Sequence, residues 1–187
     1  DVNETPIDFL AADGHKWLLG PEGAGLLYVR REWIDRLRPI GVGWHSVLGS
    51  FDAPDINFEL KPTAQRWEGG SFNMPGLQAL SASLELFEEL GPRAISERIL
   101  DRARAVRELA ESAGWRVHGS RQPEDLSGIV SLTHDEIPAK PAAAALRERG
   151  VVTSARRGRL RVSAHFYNDT GDLDRLKQGL IFCRGLV

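Results

Sequence analysis

The chain has 187 residues, of which 42% are hydrophobic and 27% are charged, and its formal net charge is −2. This length allows one sizeable domain or two small ones, and the composition is that of a folded globular protein rather than a disordered one. Lys and Arg do not gather in one tract, so the charge pattern does not indicate a nucleic-acid partner, and no apolar run approaches the roughly 20 residues that span a bilayer.

The histidines and the single cysteine limit the chemistry that can be assigned. Cys183 excludes an intrachain disulfide and any multi-cysteine metal site, and it suits a reducing, cytoplasmic setting. His118, His134 and His165 lack the spacing of metal ligands, so we predict structural roles for them and no metal site. Positions 1–6 have no features of a signal peptide, and the missing initial Met leads us to expect a processed chain or a fragment.

Two apolar runs near the start predict neighbouring strands joined by a glycine-rich loop. We place the strands at residues 7–11 and at Gly25–Val29. A short helix at 31–38 precedes a long loop from 40 to 70, which contains several aromatic residues, and loops of this length are usually functional when ordered. The Leu- and Ala-rich segment Met74–Leu90 predicts a helix that ends at the following Gly-Pro pair.

The second half of the chain alternates between helices and strands. A helix at 92–113 has apolar residues spaced by three or four along one face, which is typical of an amphipathic helix. The remaining predictions are strands at 115–118, 129–133, 151–154 and 159–164 and helices at 139–149 and 172–186. This succession indicates a compact α+β subdomain.

Lys16 is the strongest candidate for chemistry on the residues alone. It follows a predicted buried strand, lies among glycines and adjoins His15. Desolvation there would disfavour the ammonium form and make the amine a nucleophile toward an aldehyde, and the glycines leave backbone N–H groups open to an anion. An ordinary exposed loop lysine is the alternative. The glycines lack the spacing of a nucleotide-binding loop.

The segment from Phe9 to Val29, FLAADGHKWLLGPEGAGLLYV, resembles the cofactor-lysine region of class V aminotransferases. These fold-type-I pyridoxal-phosphate enzymes include cysteine desulfurases, selenocysteine lyases, kynureninases and isopenicillin N epimerase-like proteins. The resemblance implies that Lys16 holds pyridoxal phosphate as a Schiff base and that His15 contacts its phosphate. Asp13 stands where many relatives have Ser, and we assign it no phosphate contact.

The second similar segment is RWEGGSFN at residues 66–73, which resembles the family's Arg-x-Glu-x-Gly-Thr-x-Asn element. The resemblance implies that Gly70 and Ser71 contact the phosphate of the neighbouring subunit's cofactor. Read without the family, these residues form a turn and a helix cap. In relatives the preceding long loop faces the partner's active site, which makes His45 a candidate substrate contact; a solvent-facing histidine is the alternative.

The third similar segment is GRLRVSAHFYN at residues 158–168, which resembles the family's Arg-x-Ser-x-x-x-Tyr-Asn pattern. The resemblance implies that Arg161 binds the α-carboxylate of the substrate, a task that suits a planar, permanently charged guanidinium. An ordinary ion pair with a buried carboxylate is the alternative. We expect Tyr167 and Asn168 to fix the following turn.

Together the three segments imply an α/β fold. Residues 1–90 would form the end of the large domain of a pyridoxal-phosphate transferase, and residues 91–187 would form a small α+β domain. The resemblance covers nearly the whole chain but only about half of a family member. It further implies an amino-acid substrate and a homodimer with shared active sites, and it suggests neither a nucleic-acid nor a membrane partner.

The reaction type is less restricted than the cofactor. Aminotransferase, epimerase and lyase chemistry all fit the resemblance. Desulfurases carry a nucleophilic Cys shortly before the arginine pattern, but residues 151–158 contain none, and Cys183 falls on the apolar face of the last helix. There are two alternatives. One is a cysteine desulfurase or selenocysteine lyase, and the other is a truncated homologue that serves as a dimerisation module.

Overall fold

The computed structural model describes residues 1–51, 58–120 and 122–185. The chain divides into two compact units, Asp1–Glu89 and Leu90–Val187. The elements of the first unit are β1 (Phe9–Asp13), β2 (Gly25–Val29), α1 (Arg31–Ile34) and α2 (Met74–Leu90). The elements of the second are α3 (Pro92–Ser112), β3 (Arg116–His118), β4 (Ile129–Thr133), α4 (Ala139–Glu148), β5 (Ser154–Arg156), β6 (Arg159–Ser163) and α5 (Thr170–Arg184).

The first unit is built on an antiparallel ribbon of β1 and β2. Asp13 pairs with Gly25 at the loop end and Phe9 pairs with Val29 at the other. The strand predicted at 7–11 therefore starts two residues too early, because the register with β2 and not the apolar run sets its bounds. The prediction that this strand is buried is wrong, since its side chains alternate between exposed and half-buried.

The segment between β2 and α2 contains short regular elements in its described part, in keeping with the order that its aromatic residues predict. Helix α1 spans only Arg31–Ile34, shorter than the predicted 31–38. The predicted long loop contains short 3₁₀ turns at Trp44–Ser46 and Ala64–Trp67, and an isolated bridge joins Val47 to Leu60. Residues 52–57 of that loop lie outside the described part of the chain.

The second unit is an antiparallel sheet in the order β3-β4-β6-β5 with three helices on one face. Alternate strand residues face apolar residues of α3, α4 and α5: Leu132 and Leu160 are fully buried there, whereas Val117 and Ala155 are partly buried. The indole of Trp115 is buried there and donates to Leu180 O at 3.2 Å. Cys183 is also buried in this core, as predicted.

The remaining differences from prediction lie at the ends of elements in the second unit. Strand β5 spans Ser154–Arg156 rather than 151–154, because a two-residue turn at 157–158 fixes its pairing with β6. Helix α5 begins at Thr170, two residues earlier than predicted, since Asp169 and Asp172 form a reciprocal capping box there. Asn168 fixes this turn as predicted: its Oδ1 accepts from His165 N at 2.8 Å.

Candidate active site

The loop between β1 and β2 carries Lys16 and is closed by backbone hydrogen bonds. Gly14 N donates to Ala24 O at 2.8 Å, and Gly20 N donates to Gly14 O at 2.7 Å. Lys16 O accepts from Leu19 N at 3.1 Å, so the lysine lies within a tight turn and not in an open strand connection. The predicted arrangement of two strands joined by a loop with His15 and Lys16 is confirmed.

This loop packs against helix α2 through two glycines. A Cβ at Gly20 would lie 2.7 Å from Leu80 Cδ1, and a Cβ at Gly14 would lie 3.0 Å from the same atom and 2.8 Å from Ala24 O. Leu80 is buried, so it has little freedom to move away. The glycines of this segment therefore let the lysine loop approach α2.

Lys16 has an acidic partner in the same loop. Its Nζ lies 2.5 Å from Asp13 Oδ2, and His15 Nδ1 lies 4.0 Å from Asp13 Oδ1. The Lys16 hydrogen bond is the largest cause that holds the pKa of the Asp13 carboxyl below its ordinary value, while desolvation of that carboxyl acts in the opposite direction. The i,i+3 spacing of Asp13 and Lys16 could have suggested this pair, but the sequence interpretation missed it.

The desolvation predicted for Lys16 is not observed, because 67% of its side chain is exposed. The strand before it is half-exposed, so the strand cannot bury the lysine. An open cleft of about 810 Å³ lies beside this loop, between the β1–β2 ribbon and the 3₁₀ turn at Ala64–Trp67. Asp13 and His15 line the cleft, whereas Lys16 is not among its lining residues.

Asn73 links the Gly70–Ser71 segment to the lysine loop. Its Oδ1 accepts from Gly76 N at 3.2 Å and caps the first turn of α2, while its Nδ2 donates to Gly23 O at 3.0 Å. The helix-cap interpretation of this segment is therefore correct, and Asn73 serves as the cap. Ser71 is exposed, and a Cβ at Gly70 would meet no atom within 4 Å.

His45 lies against the same segment. Its ring centroid is 4.8 Å from that of Phe72, next to Ser71, and 3.8 Å from that of Trp44. His45 is half-buried among these rings, so the solvent-facing alternative does not describe it. The structure thus brings the His45 loop to the Ser71 segment within the first unit.

Two backbone contacts hold the His45 loop and the Ser71 segment together. A Cβ at Gly43 would lie 1.8 Å from Gly69 O, a separation that only glycine permits. The Ser46 hydroxyl is fully buried; it accepts from Gly43 N at 3.2 Å and donates to Glu68 O at 3.3 Å. These contacts fix the positions from which His45 and Ser71 project.

Arg66, the first residue of the RWEGGSFN segment, is a buried structural residue. Its guanidinium donates to Lys61 O at 2.7 Å, to Ile34 O at 2.8 Å and to Asp35 Oδ1 at 3.1 Å. The side chain is 9% exposed, whereas that of Asp35 is 87% exposed. Arg66 therefore ties the segment before Ser71 to the end of α1.

Arg161 belongs to the second unit and lies on β6. Its Nε donates to Ser154 Oγ at 3.1 Å, across the β5–β6 pair. In the part of the chain that the structure describes, no ion pair joins Arg161 to a carboxylate, which opposes the alternative of an ordinary buried ion pair. Its guanidinium therefore remains available to an external anion.

The described ranges contain neither a metal-binding cluster nor a membrane-spanning helix. Those residues include no group of three or more His, Cys, Asp or Glu side chains that could hold a metal ion. Within the same ranges, no helix combines the length and apolar character needed to cross a membrane.

Comparison with known proteins places most of the chain in one family. The family model described as aminotransferase class V matches residues 1–176. Isopenicillin N epimerase from Streptomyces clavuligerus is 32% identical, with 96% of this chain and 48% of that protein covered. A probable cysteine desulfurase from Halalkalibacterium halodurans is 26% identical, with 96% and 46% covered. The chain spans about half the length of the curated relatives it matches.

Solved structures confirm the predicted fold class. A variant of the C-DES protein with glycine covalently linked to its pyridoxal-phosphate cofactor superposes with a TM-score of 0.88. The identity is 22%, and the match covers 97% of this chain and 47% of the other. At that identity the likeness establishes the fold alone.

Proposed function

The chain belongs to the class V aminotransferase family, and from this premise we propose that it is the lysine-bearing part of a pyridoxal-phosphate-dependent enzyme that transforms an amino acid. The observation that carries the proposal is the 3.0 Å hydrogen bond from Asn73 Nδ2 to Gly23 O, which holds the Gly70–Ser71 segment against the loop that carries Lys16. Two distant stretches of sequence, each with a residue proposed to contact a cofactor, are thereby joined within the first unit.

The residues of this site fit the aldehyde and phosphate ends of the cofactor. The amine of Lys16 is exposed and is the proposed covalent attachment point. The ring of His15 supplies a hydrogen-bonding group for the phosphate of the cofactor on Lys16. The exposed hydroxyl of Ser71 and the unobstructed backbone of Gly70 are proposed to contact the phosphate of the neighbouring subunit's cofactor. When bound, the cofactor draws electron density away from the α-carbon of the substrate.

Asp13 has a defined part in this proposal. Its Oδ2 accepts a hydrogen bond from the ammonium of Lys16 at 2.5 Å. An ammonium group is not a nucleophile, so Lys16 must lose a proton before it can attack an aldehyde. Asp13 is proposed to orient the Lys16 side chain until the amine loses that proton.

Substrate contacts are proposed for two residues. Arg161 would anchor the α-carboxylate, because its guanidinium has no carboxylate partner among the described residues and can donate hydrogen bonds to both oxygens of a carboxylate at once. His45 is proposed to contact the substrate from the aromatic cluster beside Ser71. The two residues lie in different units, and each assignment is tested by substitution separately.

The reaction is proposed to be aminotransferase, epimerase or lyase chemistry. A cysteine desulfurase or selenocysteine lyase is the second candidate, favoured by the similarity to a probable cysteine desulfurase. Burial raises the pKa of the Cys183 thiol and keeps it in the core, so this residue is unsuited to act as a sulfur-accepting nucleophile. Release of sulfide from cysteine by the purified protein would support the second candidate over the first.

We further propose a cytoplasmic homodimer. The free thiol of Cys183 suits a reducing compartment. Trp44, Phe51 and Phe72 form an exposed aromatic cluster around His45, and exposed apolar clusters mark interaction surfaces. A truncated homologue that acts only as a dimerisation module would keep this surface without binding the cofactor.

The cofactor assignment is tested by trapping. The purified protein is incubated with pyridoxal phosphate and reduced with borohydride, and the modified peptide is identified by mass spectrometry. The pyridoxyl group is expected on Lys16, and Lys16→Ala should abolish the modification. Lys140→Ala, which changes an exposed lysine of α4, is the matched control and should leave it intact. Equal labelling of wild type and Lys16→Ala would contradict the proposal.

A further inference from the structure

Three arginines of β5 and β6 project from the face of the sheet that is opposite the helices of the second unit. Leu160 is fully buried in the core, so Arg159 and Arg161, which flank it on β6, point to the opposite face. On β5, Ala155 packs against the same core, which places Arg156 on that opposite face as well. Arg156, Arg159 and Arg161 are called the arginine face below.

The pairing of β5 with β6 brings these side chains together. Arg156 is directly opposite Arg159 in the register, and Ser154 is directly opposite Arg161. Opposed residues on one face have Cβ atoms about 5 Å apart, and like charges in that arrangement destabilise the strand pair. The arginine face therefore concentrates positive charge, and the repulsion between these charges lowers the stability of the β5–β6 pair.

Carboxylates of the described residues do not neutralise this charge. Within the described ranges, no hydrogen bond or ion pair joins Arg156 or Arg159 to an acidic side chain. Asp135, which follows β4, is already paired with Arg116. An uncompensated cluster of guanidinium groups is complementary to an external anion.

The hairpin between the strands holds the arginines in place. Arg157 and Gly158 both have positive φ angles, 49° and 76°, as in the two-residue turns that fix the register of an antiparallel pair. Arg159 and Arg161 are thus two residues apart on one strand, a separation of about 7 Å between their Cα atoms. Two anionic groups a few bonds apart match this spacing.

We propose that Arg156 and Arg159 bind a second carboxylate of the substrate, so that the substrate is a dicarboxylic amino acid. This inference rests on the proposed function, in which Arg161 holds the α-carboxylate. The pair of opposed arginines offers two planar donor groups to one carboxylate, while the Ser154 hydroxyl steadies the neighbouring Arg161 at 3.1 Å. A monocarboxylic amino acid would leave Arg156 and Arg159 unpaired.

The test measures binding without turnover. Glutarate, which has two carboxylates, and pentanoate, which has one, are titrated into the purified protein by isothermal calorimetry. Glutarate is expected to bind at least about ten-fold more tightly than pentanoate, and Arg159→Gln or Arg156→Gln should remove that advantage. Arg161→Gln should weaken both ligands. Arg98→Gln, which removes the same charge from exposed α3, should leave both affinities unchanged.

Several outcomes would overturn the inference. Equal affinity for the two acids, glutarate binding that is insensitive to Arg156→Gln and Arg159→Gln, or equal weakening by Arg98→Gln would each do so. Heparin that binds through these arginines while glutarate does not would assign the face to a polyanionic partner instead. The titration does not depend on Lys16, so its failure together with successful borohydride trapping would overturn this inference and leave the proposed function standing. Successful titration without trapping would overturn the proposed function, and with it the amino-acid substrate, and would leave the arginine face as a dicarboxylate-binding site.

Discussion

Lys16 Nζ and Asp13 Oδ2 lie 2.5 Å apart, at the point where β1 ends and the lysine loop begins. The residue predicted to hold a cofactor therefore has a negatively charged partner on its own loop. Exposure of 67% means that burial does not activate this lysine in the structure described. In place of the buried lysine expected from the sequence, the structure has an exposed ion pair between Lys16 and Asp13.

The titration of Asp13 should report on this ion pair. Its carboxyl pKa lies below the ordinary 3.8, chiefly because Lys16 donates a hydrogen bond to the ionised form. Since the folded-state pKa is lowered, the stabilisation is present above the ordinary value and is lost as the pH falls through the lowered one. Lys16→Ala should move the pKa back toward 3.8 in an NMR titration of the carboxyl carbon. Lys140→Ala should not, and an Asp13 pKa that is the same in all three proteins would contradict the assignment.

Gly43→Ala should disrupt the link between the His45 loop and the Ser71 segment. The new Cβ would lie 1.8 Å from Gly69 O, so one backbone segment must move. We expect a loss of about 2–3 kcal/mol in the free energy of unfolding, as for other overpacked sites, and weaker retention of pyridoxal phosphate. Chemical denaturation and cofactor titration measure the two effects.

Gly41→Ala provides the control for this substitution, because a Cβ at Gly41 would meet no atom within 4 Å. Its unfolding free energy should stay within about 0.5 kcal/mol of wild type, the usual range for surface substitutions. Similar losses for the Gly41 and Gly43 variants would argue against the close approach to Gly69.

Arg66→Ala should destabilise the first unit by about 3 kcal/mol, because Lys61 O and Ile34 O would each lose a donor inside the protein. The ion pair with the exposed Asp35 contributes little to this figure. The measurement is denaturant unfolding followed by tryptophan fluorescence. Arg38→Ala, at an exposed position of the same unit, should have almost no effect. A small loss for Arg66→Ala would mean that the backbone carbonyls find other partners.

The sequence predicted local elements well wherever a local signal limits them. Helix α2 was placed at its observed bounds, Met74–Leu90, because a Gly-Pro pair ends its apolar pattern. The predicted bounds of β1 and β5 are wrong, because hydrogen-bonded pairing with a neighbouring strand sets these bounds. An apolar run in the sequence carries no information about that pairing. Val151 packs against the core although it belongs to no strand. Its apolar character therefore makes residues 151–154 look like a strand in the sequence.

The candidate site also has parts that the sequence predicts and parts that it does not. The short patterns containing Lys16, Ser71 and Arg161 could be recognised because each is contiguous in the sequence. Gly43 and Gly69, which are in contact, are 26 positions apart in the sequence (69 − 43). Asn73 and Gly23, which are joined by a hydrogen bond, are 50 positions apart (73 − 23). No periodicity or spacing rule connects such pairs, so only the three-dimensional fold reveals these contacts within the first unit.

Arg157→Asn should stabilise the β5–β6 hairpin. Arg157 has a φ of 49°, a region that costs most residues about 1–2 kcal/mol but that Asn adopts more readily. We expect a gain of about 0.5–1 kcal/mol in the free energy of unfolding, measured by thermal or chemical denaturation. Gly158→Ala, at a φ of 76°, should show the opposite sign. A loss on Arg157→Asn would indicate that Arg157 makes a compensating contact.

Phe51→Ser should weaken the proposed dimer without weakening the fold of a single chain. Phe51 is 78% exposed, and its ring packs edge-on against Trp44 at 5.1 Å. An exposed aromatic ring contributes little to the stability of one chain, whereas an aromatic residue at the centre of an interface can carry much of the binding energy. We therefore expect the dimer dissociation constant to rise about ten-fold or more, measured by sedimentation velocity over a concentration series.

Val152→Ser is the matched control, because Val152 is 75% exposed but belongs to the second unit, away from the aromatic cluster in sequence. Its dissociation constant should remain that of wild type. A monomeric wild-type protein across the whole concentration series would contradict the dimer itself. If Phe51→Ser and Val152→Ser raised the dimer dissociation constant equally, the aromatic cluster around His45 would not be the interface. The proposal that His45 contacts the substrate would then have to hold within a single chain, because the cluster would not bring His45 to a partner subunit.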